Sequence, residues 1–339
     1  MTLSPQLSQL GIVLIGSALV SAALIAVLFP LLRRYALARP NARSSHTEPT
    51  PQGGGIAVIA ATLAVSAAAV AFSAPAPPFQ PLAIVFAATA LMAVIGVVDD
   101  IRSMSIAPRL VAQAALVGFV LATLPSEYRL IEVLPWWLER LIFLVAGIWF
   151  VNLVNFMDGL DWMSVSEVVP VAAALALIGL AGGLPGYAIV TATALCGAMI
   201  GFAPFNRPVA RLFLGDVGSL PIGLLLGWLL ALLATHGHLA AAVLLPLYYL
   251  ADTTVTVFRR IGRGERFWDS HRSHFYQRAT DGGYTVREIV ARVFAVNLVL
   301  AACAAATVQG QSRIVDLAAL AVGVLVVGWL LRTFARGRR

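Results

Sequence analysis

The sequence predicts an all-α, polytopic membrane protein, and three observations lead to this fold class. The 339-residue chain is 60% hydrophobic and 12% charged, whereas a soluble domain carries about 45–50% apolar and about 25% charged residues. Apolar runs long enough to cross a bilayer of about 30 Å recur from one end to the other. The arginines fall almost entirely into alternate loops between these runs.

We predict about eleven spans, which form a single integral-membrane domain over residues 1–339. The first run ends in Arg33-Arg34 and no basic segment precedes it, so we expect a span rather than a cleaved signal peptide. The predicted spans lie at about 10–32, 56–74, 82–98, 108–124, 138–154, 168–182, 186–203, 219–235, 239–257, 291–307 and 314–331.

The basic residues predict the orientation, and all 23 of them are arginine. With these spans, 20 lie on one side and only Arg129, Arg140 and Arg313 on the other. Because basic loops stay in the cytoplasm, we expect an outside N-terminus and a cytoplasmic C-terminus in a bacterial inner membrane. The net charge of +7 then reflects topology and an anionic substrate, and no nucleic-acid partner is expected.

The functional residues are expected in five inner loops, at 39–55, 99–113, 152–167, 204–219 and 258–290. The first contains Arg43, His46 and three consecutive glycines, Gly53 to Gly55. Glycine backbone N–H groups can approach an anion closely, and the two side chains could add positive charge. A plain connection between helices is the alternative for this loop.

The second and third loops carry acids where apolar runs end. Two adjacent carboxylates, Asp99 and Asp100, repel each other unless a cation or a side chain such as Arg109 intervenes, so a metal site and a structural ion pair both remain open. Unpaired acids at a membrane helix end point to function. The third loop presents polar residues at intervals of three: Asn152, Asn155, Asp158 and Asp161.

The last two loops offer one acid and one basic cluster. Asp216 stands between Gly215 and Gly218, which suits a metal or phosphate site or a helix N-cap. The sequence His271-Arg272-Ser273-His274 suits phosphate oxygens, because arginine offers a bidentate fork; binding to anionic lipid is the alternative. For Asp252, inside the ninth span, a functional and a structural role remain open.

Taken together, these motifs resemble the polyprenyl-phosphate N-acetylhexosamine-1-phosphate transferases, the MraY/WecA-like family. The resemblance spans residues 39 to 278 and rests on five segments in the family's order: PTPQGGG, DDIRSMSIAPRLVAQ, NLVNFMDGLD, FLGDVGS and HRSHFYQR. The last segment has HRSH where the muramyl-pentapeptide branch has three consecutive histidines, and the chain lacks that branch's lysine in the first loop. The chain is therefore closer to the branch that initiates O-antigen, capsule or other surface glycans.

The resemblance implies a Mg²⁺-dependent transfer, with Mn²⁺ as a second cation, of a sugar phosphate from a UDP-sugar to polyprenyl phosphate. It implies a catalytic group of Asp99, Asp100 and Asp216, with Asp216 and Asp158 as metal ligands. It also implies substrate contacts from Asn155, Asp158, Asp161, His271, Arg272 and His274. From the loop sequences themselves we expect further substrate contacts from Asn152, Arg43, His46 and Arg109. A homodimer is compatible with this architecture. A transporter or flippase of anionic lipid-linked substrates is the alternative function.

Overall fold

The computed structural model describes residues 5–38, 49–72, 79–124, 129–131, 133–266 and 271–338, and about 80% of the chain is helical. Thirteen α-helices occur in this part of the chain: α1 (Pro5–Tyr35), α2 (Gly54–Ala71), α3 (Phe79–Arg102), α4 (Ile106–Leu121), α5 (Trp136–Met157), α6 (Met163–Ile178), α7 (Gly186–Phe202), α8 (Asp216–Thr235), α9 (Leu239–Leu244), α10 (Leu247–Gly262), α11 (Phe275–Asp281), α12 (Val286–Gly310) and α13 (Arg313–Arg336). A two-residue antiparallel pair, β1 (Leu37–Ala38) with β2 (Thr50–Pro51), follows α1.

The helices confirm the all-α, polytopic prediction. Eight helical segments within the described residues are long and apolar enough to cross a membrane: Gln6–Tyr35, Gly54–Ala71, Pro81–Arg102, Trp136–Met157, Met163–Gly183, Asp216–Thr235, Val286–Gly310 and Arg313–Arg336. Helices α4 and α7 are apolar but shorter. The count of eleven spans and the orientation of the termini stay predictions.

The predicted ninth span, 239–257, is not one helix. It breaks at Leu245-Pro246 into α9 and α10, because proline has no N–H to donate and its ring clashes with the carbonyl group of the preceding helical turn. The second piece continues to Gly262, beyond the predicted end. The break lets α10 follow a separate course, and Asp252 lies on this second piece.

Helix α8 is the most buried of the spans and runs through the centre of the bundle. Small residues let other helices approach closely: a Cβ on Gly197 would lie 2.2 Å from the carbonyl oxygen of Leu14, and one on Gly201 the same distance from that of Ala18. These contacts fix α7 against α1 by backbone packing, as is common in membrane bundles. The N-terminus of α8, at Asp216, is where the site forms.

Candidate active site

The carboxylate of Asp100 joins the end of α3 to the start of α8. Its Oδ1 accepts a hydrogen bond from the Asp216 backbone N–H at 3.0 Å, and its Oδ2 accepts one from the Val217 N–H at 3.1 Å. The first N–H groups of a helix have no partner within the helix and attract negative charge. Asp100 therefore serves as the N-terminal cap of α8, supplied by another helix.

Glycines make this close approach of α2, α3 and α8 possible. A Cβ on Gly96 would lie 2.3 Å from the Asp216 carbonyl oxygen, and one on Gly55 would lie 2.2 Å from the Gly218 Cα. Such distances are too short for any side chain. Gly215, just before α8, has φ +78°, a conformation that favours glycine. Each helix thus brings its end to the site through a glycine.

The glycine loop of residues 53–55 does not form the anion cradle that its composition suggested. The Gly54 and Gly55 N–H groups donate to the carbonyl oxygens of Phe213 and Leu214, both at 2.9 Å. Those amides are therefore satisfied by the strand-like segment that precedes α8. The glycines serve close packing instead, and they hold the first and fourth motifs together. Arg43 and His46 lie outside the described residues.

Asp99 forms an ion pair with Arg109, which was one of the two alternatives left open for the acidic pair, the other being a metal site. Its Oδ2 accepts from Arg109 Nη1 at 2.7 Å and its Oδ1 from the Met104 N–H at 2.6 Å. Its carboxyl group also lies within hydrogen-bonding reach of the Asp216 carboxyl. Asp99 and Asp100 therefore have different surroundings: an arginine holds the first, and a helix N-terminus holds the second.

Asp216 is partly buried and has no cationic partner in the part of the chain that the structure describes. Its Oδ1 accepts from Asn155 Nδ2 at 2.7 Å, and the same amide donates to Ser219 Oγ at 2.9 Å. Among the described residues no arginine or histidine pairs with Asp216. With Asp99 close by, this arrangement places two acidic groups together where a cation or a proton must separate them.

Asp158 completes the group of acids. Its Oδ1 accepts from the Ser164 hydroxyl at the start of α6. Burial is the largest cause and, with the nearby carboxyls of Asp216, Asp100 and Asp161, raises the pKa of Asp158 to about 8 against the opposing effect of the Ser164 hydrogen bond. The neighbouring carboxylates create a negative electrostatic potential at Asp158, and a divalent cation bound there would offset their mutual repulsion.

The intervals of three in the third loop do not place all four residues on one face. Helix α5 ends at Met157, so only the two asparagines lie on it. Asn152 Nδ2 donates to Gln113 Oε1 at 2.7 Å, and Asp161 Oδ2 accepts from the Ala210 N–H at 2.9 Å. The structure brings Asn155 and Asp158 to the acidic group, whereas Asn152 hydrogen-bonds to Gln113 on α4 and Asp161 to the backbone of Ala210.

Asp252 anchors the histidine segment. The carboxylate is fully buried and accepts from the N–H groups of Phe275 at 3.0 Å and Tyr276 at 3.2 Å. His274 Nδ1 lies 3.2 Å from its Oδ1, and this histidine is 3% exposed. Of the two roles left open for Asp252, the geometry favours the structural one: it holds α11 against α10.

The other two residues of this segment are also engaged. Arg272 Nη2 lies 3.0 Å from Thr280 Oγ1 and 3.3 Å from Asp281 Oδ1, while the His271 ring packs on His274 with centroids 4.9 Å apart. The segment borders the acidic group, because the Tyr276 hydroxyl donates to the Phe156 carbonyl oxygen at 3.0 Å. Both Arg272 and His271 are partly exposed.

Three residues of the site were not singled out in the sequence. Ser164 is an ordinary hydroxyl in an apolar run, whereas Ser219 and Tyr276 lie within the FLGDVGS and HRSHFYQR segments but were given no role of their own. Gly159 offers a hint in retrospect, since a Cβ there would lie 2.1 Å from the Tyr276 hydroxyl oxygen. Only the three-dimensional contacts identify them.

The acids fit a hard divalent cation that is completed by substrate oxygens. No three His, Cys, Asp or Glu side chains within the described ranges form a ready-made metal cage. Magnesium does not require one, because it usually binds one or two carboxylates, waters and phosphate oxygens. The unpaired Asp216 and the negative surroundings of Asp158 supply the carboxylate part of such a site.

Fold and site together define the class: a multi-pass membrane protein with a carboxylate site at one end of its helix bundle. Comparison with known proteins shows a domain of a known family. Residues 82–234 match the model of Glycosyl transferase family 4, and the chain contains a domain of this family and is a transferase. The resemblance inferred from the motifs is thereby confirmed.

Two relatives align with most of the chain, and a third aligns with about half of it. A Mycolicibacterium smegmatis protein named decaprenyl-phosphate N-acetylglucosaminephosphotransferase is 27% identical over 87% of this chain and 82% of its own length. A Bacillus subtilis protein named probable undecaprenyl-phosphate N-acetylglucosaminyl 1-phosphate transferase is 22% identical over 83% and 81%. A Gluconobacter oxydans phospho-N-acetylmuramoyl-pentapeptide-transferase is 33% identical over 47% of each chain.

Proposed function

We propose that this protein transfers an N-acetylhexosamine-1-phosphate from a UDP-sugar to a polyprenyl phosphate such as undecaprenyl phosphate. The product, a polyprenyl-diphosphate sugar, would initiate a cell-surface glycan at the cytoplasmic face of a bacterial inner membrane. One observation carries the proposal: acids from α3, α8 and the loop after α5 converge at the end of an apolar bundle. A site there can meet a lipid phosphate and a water-soluble nucleotide at once.

The reaction exchanges one phosphoanhydride for another. An oxygen of the lipid phosphate bonds to the β-phosphorus of the UDP-sugar, while the bond from that phosphorus to the bridging oxygen breaks and UMP leaves. A phosphate monoester has a second pKa near 6, so the acceptor needs little help to lose its proton. The barrier is chiefly the approach of two anions, which positive charge must offset.

In this proposal Asp216 and Asp158 hold Mg²⁺, which supplies charge neutralisation for the phosphate oxygens. Asn155 orients the Asp216 carboxylate through its 2.7 Å hydrogen bond. Asp99 and its partner Arg109 border the place where the lipid phosphate binds, and Asp100 keeps the start of α8 in position. The exposed parts of His271 and Arg272 lie beside this group and suit the donor diphosphate.

An apolar cavity of 260 Å³ suits the tail of the lipid acceptor. It is lined by residues of α4, α5, α8 and α10, among them Val117, Phe150 and Gly223. Gly223 is seven residues along α8 from Asp216, a rise of about 10 Å. An isoprenoid chain in this cavity would place its phosphate near the acids.

The test is release of UMP by the purified protein in mixed detergent–lipid micelles. Polyprenyl phosphate and a panel of UDP-sugars are the substrates, and reactions without lipid acceptor or with Asp216→Asn are the controls. We expect UMP only with acceptor, with a UDP-N-acetylhexosamine and with Mg²⁺ or Mn²⁺. Full turnover in excess EDTA would contradict the metal assignment. Movement of a lipid-linked substrate without UMP release would favour a transporter.

A further inference from the structure

A second polar cluster lies inside the bundle, among the apolar residues of α6, α10 and α12. Glu167 is 2% exposed and accepts from Asn297 Nδ2 at 2.7 Å through its Oε2. The same amide group donates to the Ser166 carbonyl oxygen at 2.9 Å. An acid at this depth in a membrane segment is costly and points to a function.

Several polar atoms of this cluster have no hydrogen-bond partner within the described residues. They are Glu167 Oε1, Asn297 Oδ1, the Tyr249 hydroxyl and, one turn along α10, the Thr253 hydroxyl. Each belongs to a residue that is at most 2% exposed. Buried polar atoms almost always have partners, and ordered water supplies them where protein does not.

The cluster is connected to the acidic site by Ser164. The Tyr249 hydroxyl lies close to the Ser164 hydroxyl and near the carboxyls of Glu167 and Asp158. Ser164 and Glu167 are three residues apart, hence on one face of α6. Ser164 in turn donates to Asp158 Oδ1. The polar atoms therefore run from the middle of the bundle to a proposed metal ligand.

We propose that Glu167, Asn297 and Tyr249 enclose buried water, and that this hydrated cluster positions Ser164 and through it Asp158. Water matches the cluster because carboxyl and amide oxygens need a donor, while the hydroxyls can both donate and accept. Within the described residues no cationic side chain pairs with Glu167. Besides Tyr249, the titratable side chain of Tyr248 lies near Glu167. The positioning role rests on the proposed transferase function, whereas the hydrated cluster does not.

Radiolytic hydroxyl-radical labelling with mass spectrometry tests the water directly, because buried side chains beside bound water are labelled fast. Tyr248 is the matched control: it is adjacent, equally buried and hydrogen-bonded to Asp252 Oδ2 at 3.2 Å. We expect faster labelling of Tyr249 than of Tyr248, and equal rates in Glu167→Leu. Equal rates in the wild-type protein overturn the hydrated cluster, whether or not the protein is a transferase.

Kinetics test the positioning role. Tyr249→Phe and Glu167→Leu should each lower kcat about tenfold, as expected of a misplaced catalytic group, with the KM for polyprenyl phosphate unchanged. Glu167→Gln should restore most of kcat, because it keeps an acceptor and the shape. Ser66→Ala, which removes another buried hydroxyl without a partner from α2, should leave kcat unchanged. Normal kcat in both Tyr249→Phe and Glu167→Leu overturns the positioning role even if Tyr249 is labelled fast.

Discussion

Asp100 caps the helix that begins at Asp216, with both carboxylate oxygens bound to the first backbone N–H groups of α8. The two acids therefore have separate tasks although they are neighbours in space. Asp100 fixes the helix, and Asp216 presents a carboxylate that pairs with no arginine or histidine among the described residues. Substitutions at the two positions should have different effects.

Asp216→Asn and Asp99→Asn should each lower the rate of UMP release at least about 10²-fold, the usual scale for losing one electrostatic group at a reacting centre. The amount of protein in the membrane should stay near the wild-type level, since both residues lie at helix ends and asparagine keeps the shape of the side chain. Asp316→Asn, in the first turn of α13, is the matched control. Wild-type rates in either site variant would remove that residue from the catalytic group.

Asp100→Asn should lower stability as well as activity. An amide keeps one oxygen acceptor but presents an N–H₂ group to the other backbone N–H, and a buried donor left without an acceptor costs about 1–3 kcal/mol. Thermal unfolding in detergent, compared among Asp100→Asn, Asp216→Asn and wild type, measures the effect. If Asp100→Asn unfolds at the wild-type temperature, the capping role is wrong.

Gly55→Ala and Gly96→Ala should destabilise the protein and reduce activity. The new methyl groups would lie 2.2 Å from the Gly218 Cα and 2.3 Å from the Asp216 carbonyl oxygen, and overpacking of this kind typically costs about 1–3 kcal/mol. Gly118→Ala is the control, because nothing lies within 4 Å of its Cβ position. The midpoint of thermal unfolding should fall for the first two variants only.

Divalent-cation affinity should rise with pH up to about 8, where burial places the pKa of Asp158. Below that pH the carboxyl carries a proton that a metal must displace, so the apparent affinity gains about tenfold per pH unit. Above it the carboxyl is already ionised and the affinity levels off. Half-saturation by Mg²⁺ in the UMP assay, measured from about pH 6 to about pH 9, tests this, and Asp158→Asn should flatten the profile. A flat wild-type profile would exclude Asp158 as a ligand.

Arg272→Lys should lower kcat/KM for the UDP-sugar, and Arg272→Ala should lower it more. The guanidinium holds Thr280 and Asp281 through one nitrogen and keeps other N–H groups for a diphosphate, a geometry that lysine cannot reproduce. Arg259→Lys is the control, because its packing over Phe275 at 5.3 Å requires only a cation. Equal kcat/KM values in both lysine variants would show a membrane-surface patch instead.

The sequence predicted some of the residues that meet at the site, but not how each would be used. Asp99, Asp158 and Asp216 were identifiable because acids at the ends of apolar runs are rare and costly. The difference between Asn155 and Asn152 was not, since it depends on where α5 ends and on Gln113 in another helix. The partners of Asp100 and Asp252 likewise come from distant segments, 116 and 22–24 residues away.

The three glycines at 53–55 show the same limit of prediction from local sequence. Their local sequence suggested backbone N–H groups free for an anion, which is correct chemistry for an isolated loop. In the folded protein Phe213 and Leu214 take two of those N–H groups, and the missing side chains serve helix contact. A sequence pattern describes what a segment can do alone, whereas its role depends on what packs against it.

The cap that Asp100 provides also sets an order for assembly in the cell. Its partners follow 116 residues later, so at 5–20 residues per second a ribosome needs roughly 6–23 s to supply them. During that interval the nascent chain holds an acidic pair at the membrane surface without the helix that receives it. Arg109, ten residues after Asp99, can neutralise only one acid of the pair in that interval, and Asp100 stays without its partners until α8 has been made.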